Sequence, residues 1–144
     1  MLNRKELIKN SVVTLGVLGL ANEVFAQGKN PTSESKHKYA KALLAANNCK
    51  LAAEICINHC MDELAKGNKM MANCLKTAAE TKAACESFVT LASMESDFTK
   101  KMAALCIEIC KSCEAECKKH ISHSPICKDC MESCKACIKE MSAI

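Results

Sequence analysis

Residues 106–117, CIEICKSCEAEC, and residues 127–137, CKDCMESCKAC, decide the fold. Their cysteines recur at intervals of three or four, which matches the turn of an α-helix and not the period of two of a strand. Projected at about 100° per residue, Cys106, Cys110, Cys113 and Cys117 share an arc of roughly 80° or less, and so do Cys127, Cys130, Cys134 and Cys137. Lys111, Glu114, Lys118, Lys128, Asp129, Lys135 and Lys139 cover the other faces, so the sulfur stripes turn inward.

The same stripe continues upstream more sparsely. Cys49, Cys56 and Cys60 lie on one face of a first helix, and Cys74 and Cys85 on one face of a second, which places all thirteen cysteines on four helical faces. The breaks between helices are written in cap residues. Thr32 or Ser33 starts a helix that runs to about Lys66, and Gly67-Asn68 stops it. A second helix spans about Lys69 to Ser93, and Ser96 with Asp97 opens a third that reaches about His120. Ser124-Pro125 caps a fourth, which takes the rest of the chain. Short links between long helices predict an all-α, antiparallel up-down-up-down four-helix bundle with a cysteine-lined core.

Composition agrees with this reading. The 144 residues include no Trp, three Phe and one Tyr, and beyond residue 26 only Gly28, Gly67, Pro31 and Pro125 break the Ala, Leu, Lys and Glu background. The core must then be built from Ala, Leu, Ile, Met and Cys, with Ala42, Ala53, Ala78 and Leu105 expected in it. Residues 27–144 are long enough for one such domain.

Residues 1–26 read as a signal peptide, with Arg4, Lys5 and Lys9 in front, an apolar stretch from Val12 to Leu20, and a small-residue cleavage site at Val24-Phe25-Ala26. The front is similar to a twin-arginine leader in which Lys5 replaces the second arginine, so the general secretion route stays open beside it. Either route makes the protein exported, to the periplasm of a bacterium, and leaves no membrane segment after cleavage. A formal charge of +4, with Lys and Glu interspersed and no aromatic-basic cluster, argues against nucleic acid as a partner. There is no Ser/His/Asp set and no phosphate loop, and Asp62-Glu63 is a solvated helix face, so no enzyme is expected.

Thirteen inward cysteines acting only as small hydrophobes would leave a poorly filled, oxidisable core. Disulfides fit badly too, because cysteines three or four apart on one helix diverge and the count is odd. Metal is the remaining reading. Soft thiolates select Cu(I), Zn(II) or iron–sulfur clusters. Four thiolates around each Zn(II) leave two negative charges per site in an apolar interior, whereas Cu(I) in equal number neutralises thiolates one for one. Iron–sulfur clusters need wrapping loops, and a blue-copper site needs a His2Cys set. Many equivalent soft sites imply capacity. A zinc or general soft-metal detoxifier of the same fold, and a thiol-disulfide redox or structural bundle, remain as alternatives.

In an antiparallel bundle His59, Met61, Met70, Met71, His120 and His123 gather at one pole. Met70 and His120 continue their cysteine stripes, so thioether and imidazole would stand where the sulfur column opens, while His123 reads as loop. The other pole, with Phe88, Phe98, Met94, Met102 and Met141, reads as an apolar plug.

The C-x3-C-x2-C-x3-C run from Cys106 to Cys117 and the C-x2-C-x3-C-x2-C run from Cys127 to Cys137, with the sparser cysteines before them, resemble the bacterial four-helix-bundle copper storage proteins. The resemblance covers the chain after the leader and is closest to the exported, thirteen-cysteine branch. It implies a homotetramer in which each bundle holds many Cu(I) ions on its thiolates, admits them at the Met/His pole and supplies them to copper enzymes, with copper-donor or copper-recipient proteins as candidate partners.

Overall fold

A computed structural model describes residues 37–144. The expected signal peptide, the linker and the expected caps Thr32 and Ser33 lie outside the described residues. Within them the chain forms α1 (Ala40–Ala65), a 3-10 turn (Lys69–Met71), α2 (Ala72–Ser93), α3 (Thr99–Cys117) and α4 (Pro125–Met141). The fold class is the expected one, all-α with four helices.

The helix ends follow local chemistry. Gly67 adopts a φ of 91°, and its N–H donates to the Leu64 carbonyl at 2.9 Å while that of Asn68 reaches back to Glu63 at 3.0 Å. This pair of reversed bonds satisfies the last carbonyls of α1, and the left-handed residue between them is glycine because other residues are strained there. The same device closes α2, where the Ser96 N–H donates to Leu91 and the Glu95 N–H to Ala92, both at 3.0 Å. Its left-handed residue is Glu95, at φ 50°, which has a Cβ and gives no glycine signal in the sequence. At the start of α4, the Ser124 hydroxyl accepts from the Cys127 N–H at 3.1 Å, and Pro125 occupies the first helical position, as expected.

Five expected boundaries move, among them those of α2, which starts at Ala72 after the 3-10 turn and not at Lys69, and of α4, which ends at Met141 and not at the last residue. A turn over His37 to Tyr39 precedes α1, which therefore starts at Ala40 and not near Thr32. Ser96 does bond the Phe98 N–H, but as a turn, and α3 begins at Thr99. The third helix ends at Cys117, and the residues through His123 form turns in which the His120 N–H reaches Cys117 and the Ser124 N–H reaches His120.

Helix α1 packs on α2 and α4, and α3 packs on the same two, while the backbones of the diagonal pairs stay apart and meet only through side chains on the axis, as Cys85 of α2 meets Cys137 of α4 at 4.0 Å. Four helices at the corners of a square leave the axis to side chains. That axis is sulfur, since cysteines are thirteen of the 26 buried apolar residues and every one is 0% exposed. Most of the others are alanines, including Ala42, Ala53 and Ala78. Leu43, Ile57, Leu75, Val89, Ile107, Ile109 and Ile138 are half-buried beside the column, where they seal the seams between helices. Leu105 corrects the expected core: it is exposed, because it stands about 100° from the Cys106 stripe. One pole is closed by Tyr39, Phe88, Ala92 and Met141, with Met102 half-buried against them. Phe98 and Met94, expected in that plug, are exposed. They flank the α2–α3 link, which carries them past the end of the core. No helix among the described residues is long and apolar enough to cross a membrane.

Candidate metal centre

All thirteen cysteines are free and buried. Across the helices, Sγ of Cys56 lies 3.7 Å from that of Cys74, Cys74 lies 3.7 Å from Cys117, and Cys85 lies 3.7 Å from Cys106. Cys49 donates to Cys134 at 3.8 Å, and Cys113 and Cys130 are 3.8 Å apart. Along the helices, Cys56 meets Cys60 at 4.0 Å and Cys113 meets Cys117 at 3.9 Å.

These contacts assemble into larger sets. Cys49, Cys85, Cys110 and Cys137 form a tetrad whose sulfurs all lie within 4.8 Å of one another. The same limit holds for the trios Cys113–Cys130–Cys134, Cys56–Cys117–Cys130 and Cys56–Cys74–Cys127. Cys134 joins the tetrad through Cys49, Cys106 joins it through Cys85, and Cys60 joins the last trio through Cys56. Every sulfur is thus connected to every other by steps of 4.8 Å or less. At the plugged pole the column ends on Met141, whose Sδ accepts from Cys137 at 3.8 Å.

Packing thiols this closely makes their protons interdependent. Cys74, Cys110 and Cys130 are drawn below the ordinary thiol value, chiefly by hydrogen bonds from Cys117, Cys106 and Cys113 respectively. Hydrogen bonding to Cys117 pushes Cys56 up, as Cys106 does for Cys85 and Cys110 does for Cys134. At Cys60 a bond from Cys56 pulls down, but the bond with Cys74 and burial prevail and the thiol is raised to about 12. A thiolate formed in the column is one that its neighbours solvate by keeping their own protons. A soft cation replaces those shared protons with shared metal–sulfur bonds.

The other pole holds a cleft of about 290 Å³ lined by His59, Glu63, Asn68, Met70, Met71, Lys119, His120, His123 and Ser124. The structure therefore brings His59, Met70, Met71 and His120 together. Met61 is exposed and does not line the cleft. Met70 is also mainly exposed, at 75%, and it is Met71 that is buried at the head of α2, since the 3-10 turn rotates the expected stripe by one residue. His123, read as loop, lies on the cleft wall. His120 is buried with Nε2 3.6 Å from Glu116 and no hydrogen-bond partner, and His59 Nε2 faces the Ser124 hydroxyl at 3.0 Å. That hydroxyl also accepts the Cys127 N–H, so one oxygen joins the first turn of α4 to the imidazole of α1. Sequence reasoning missed this role of Ser124 beyond the cap, because a tie between residues 59 and 124 has no local signature.

A family model described as copper storage protein matches residues 35–144. A relative, an uncharacterized cysteine-rich protein of Bacillus subtilis, is 29% identical over 108 residues, spanning 74% of this chain and 98% of its own. Among solved structures, a Cu(I)-bound copper storage protein, BsCsp3, is 26% identical with a TM-score of 0.67, covering 74% of this chain and 97% of that one. The metal-free copper storage protein 3 from Bacillus subtilis is similar, at 26% identity and a TM-score of 0.63, over 72% and 94% of the two chains. The sulfur column, the bundle that encloses it and the family match over residues 35–144 agree, and the chain belongs to the copper storage protein family.

Proposed function

We propose that the protein stores Cu(I) without catalysing a reaction, holding the ions on the thiolates of Cys49, Cys56, Cys60, Cys74, Cys85, Cys106, Cys110, Cys113, Cys117, Cys127, Cys130, Cys134 and Cys137. The observation that carries this reading is the unbroken sulfur network, in which no step exceeds 4.8 Å. A cation bound to two or three sulfurs anywhere in it has a further sulfur within reach, so ions can fill the column and pass along it. One Cu(I) per thiolate leaves the interior uncharged, which a buried core requires. Copper enters through the cleft at the His59, Met70, Met71 and His120 pole, since the opposite end is closed by Phe88 and Met141. Copper donors and copper-requiring acceptors dock at the same pole. Export rests on the leader read in residues 1–26, and the periplasm is the compartment that follows from it. A homotetramer is supported by the exposed Leu44, Leu51 and Ile55, which align on one face of α1 and would be covered by a second copy.

The test is an anaerobic titration of the reduced, metal-free protein with Cu(I). Binding of roughly one ion per cysteine is expected, and a plateau near three or four would indicate isolated sites and overturn the storage reading. One feature favours a second reading. The tetrad of Cys49, Cys85, Cys110 and Cys137 has the four-sulfur set that a structural zinc ion takes. Zinc would fit there singly, and an equilibrium competition in which Zn(II) displaces Cu(I) would move the assignment to a soft-metal detoxifier.

A further inference from the structure

Helix α2 carries the fewest sulfurs per turn, and one position on its inward stripe is neither cysteine nor apolar. Cys74, Ala78, Thr81, Cys85, Phe88 and Ala92 are spaced by four and three in alternation and all are 0% exposed. Thr81 is thus a hydroxyl on the axis of the bundle. The other hydroxyl side chains of α2 bond a carbonyl four residues earlier: Thr77 to Asn73 at 3.1 Å, Ser87 to Ala83 at 2.9 Å, Thr90 to Glu86 at 3.0 Å and Ser93 to Val89 at 2.7 Å. Thr81 does not, and its Oγ1 is buried with no hydrogen-bond partner.

The register of the bundle tells which sulfurs it stands among. Cys85 contacts Cys106 and Cys74 contacts Cys117, both at 3.7 Å. Because α2 and α3 are antiparallel, moving four residues from the first pair, or seven from the second, brings Thr81 opposite Cys110 by either count. Cys110 belongs to the tetrad with Cys49, Cys85 and Cys137, and the trio of Cys113, Cys130 and Cys134 lies one turn further along. Thr81 therefore occupies the gap in the α2 sulfur lining between these two sets.

We propose that Thr81 is a positioning residue for the stored metal, whose hydroxyl donates an O–H···S hydrogen bond to a metal-bound thiolate, that of Cys110 or of a sulfur beside it. The inference rests on the reading of the column as a Cu(I) store. In the metal-free bundle the buried hydroxyl makes no hydrogen bond, which weakens the fold. A metal-bound thiolate keeps lone pairs that accept a hydrogen bond, and one beside Thr81 accepts from its hydroxyl while that proton stays on oxygen. Such outer contacts orient metal ligands and steady the metal they hold. The hydroxyl thus costs stability when the column is empty and holds copper when it is full.

The experiment compares the full chain with Thr81→Val and Thr81→Ser under anaerobic, reducing conditions. Three quantities are read: total Cu(I) bound, the rate at which an excess of a bidentate Cu(I) chelator withdraws it, and the thermal midpoint of the metal-free protein. Thr81→Val is expected to keep its capacity, to melt no lower than wild type when metal-free, and to release copper about tenfold faster, the scale of one hydrogen bond to a charged sulfur. Thr81→Ser, which keeps the hydroxyl, should release copper at close to the wild-type rate. Release from Thr81→Val at the wild-type rate overturns the proposal, and so does equal acceleration in Val and Ser, which would trace the effect to packing. If Thr81→Val does not fold, Thr81→Ala takes its place against Thr81→Ser, with the same outcomes. A wild-type capacity of only a few ions would instead overturn the storage reading itself.

Discussion

A thiol buried among thiols can be satisfied by a shared proton or by a shared metal, and the cysteines of this column are placed for both. The raised values at Cys49, Cys56, Cys60, Cys85, Cys117, Cys127, Cys134 and Cys137 outnumber the lowered ones at Cys74, Cys110 and Cys130, and burial raises all of them. A raised thiol holds its proton in the folded state above the pH, about 8.5, at which the unfolded chain gives it up. Its contribution to stability is complete below that value and fades as pH rises toward the folded one, which for Cys60 is about 12. The three lowered thiols act in the opposite sense and offset part of the loss. The metal-free, reduced protein is therefore expected to melt at a lower temperature at about pH 10 than at about pH 7, and the copper-loaded protein to lose much less over that range. A flat metal-free profile by circular dichroism would contradict this. At the same scale, position along the column separates storage from admission. Cys110→Ser with Cys134→Ser should lower Cu(I) capacity and leave the initial uptake rate nearly intact. Replacing His59, Met70, Met71 and His120 together by apolar residues of similar size should slow uptake in stopped-flow loading and leave capacity nearly unchanged. The buried Met71 and His120 should account for most of the slowing, because Met70 faces solvent. If replacing Met94, Met102 and Met141 is what slows loading, the entrance is at the other pole.

Each helix combines a sulfur stripe facing the axis with aliphatic flanks facing its neighbours. This division of labour lets helix ends matter to the site. Ser124 caps α4 and also holds His59 of α1, so one hydroxyl sets both the first turn that carries Cys127 and the α1 wall of the cleft. Ser124→Ala is expected to cost about 1 kcal/mol in the metal-free protein, the usual worth of an N-cap, measured by denaturant unfolding. A loss well below that would mean that Pro125 alone suffices to start the helix. The caps at Gly67 and Ser124 were legible in the sequence because each acts through residues within a few positions of itself. The start of α1 at Ala40, the start of α3 at Thr99 and the left-handed Glu95 were not. At the α2–α3 link a reversed pair of backbone bonds around Glu95 carries the chain through a turn in which Ser96 accepts the Phe98 N–H, so that α3 opens only at Thr99.

At the scale of the whole molecule, the metal-free bundle has an interior of small side chains, yet its seams are closed by Leu, Ile and Val from every helix. It is expected to stay helical without copper, and a far-ultraviolet spectrum of random coil after complete demetallation would refute this, placing it with chains that fold only around metal. The sequence by itself determined the helices, the number of thiols and their inward faces, because helical periodicity is a property of residues three and four apart and needs no knowledge of the partner helix. It also pointed to a soft monovalent ion, since charge balance depends only on how many thiolates are buried. The tertiary structure alone decided the sulfur-to-sulfur distances, the union of thirteen thiols into one network, the exchange of Met70 for Met71 at the mouth, and the placing of Thr81 across from Cys110. These depend on the axial register between antiparallel helices, and a shift of one residue changes that register by about 1.5 Å, enough to break a contact of 3.7 Å while leaving every stripe in the sequence unchanged.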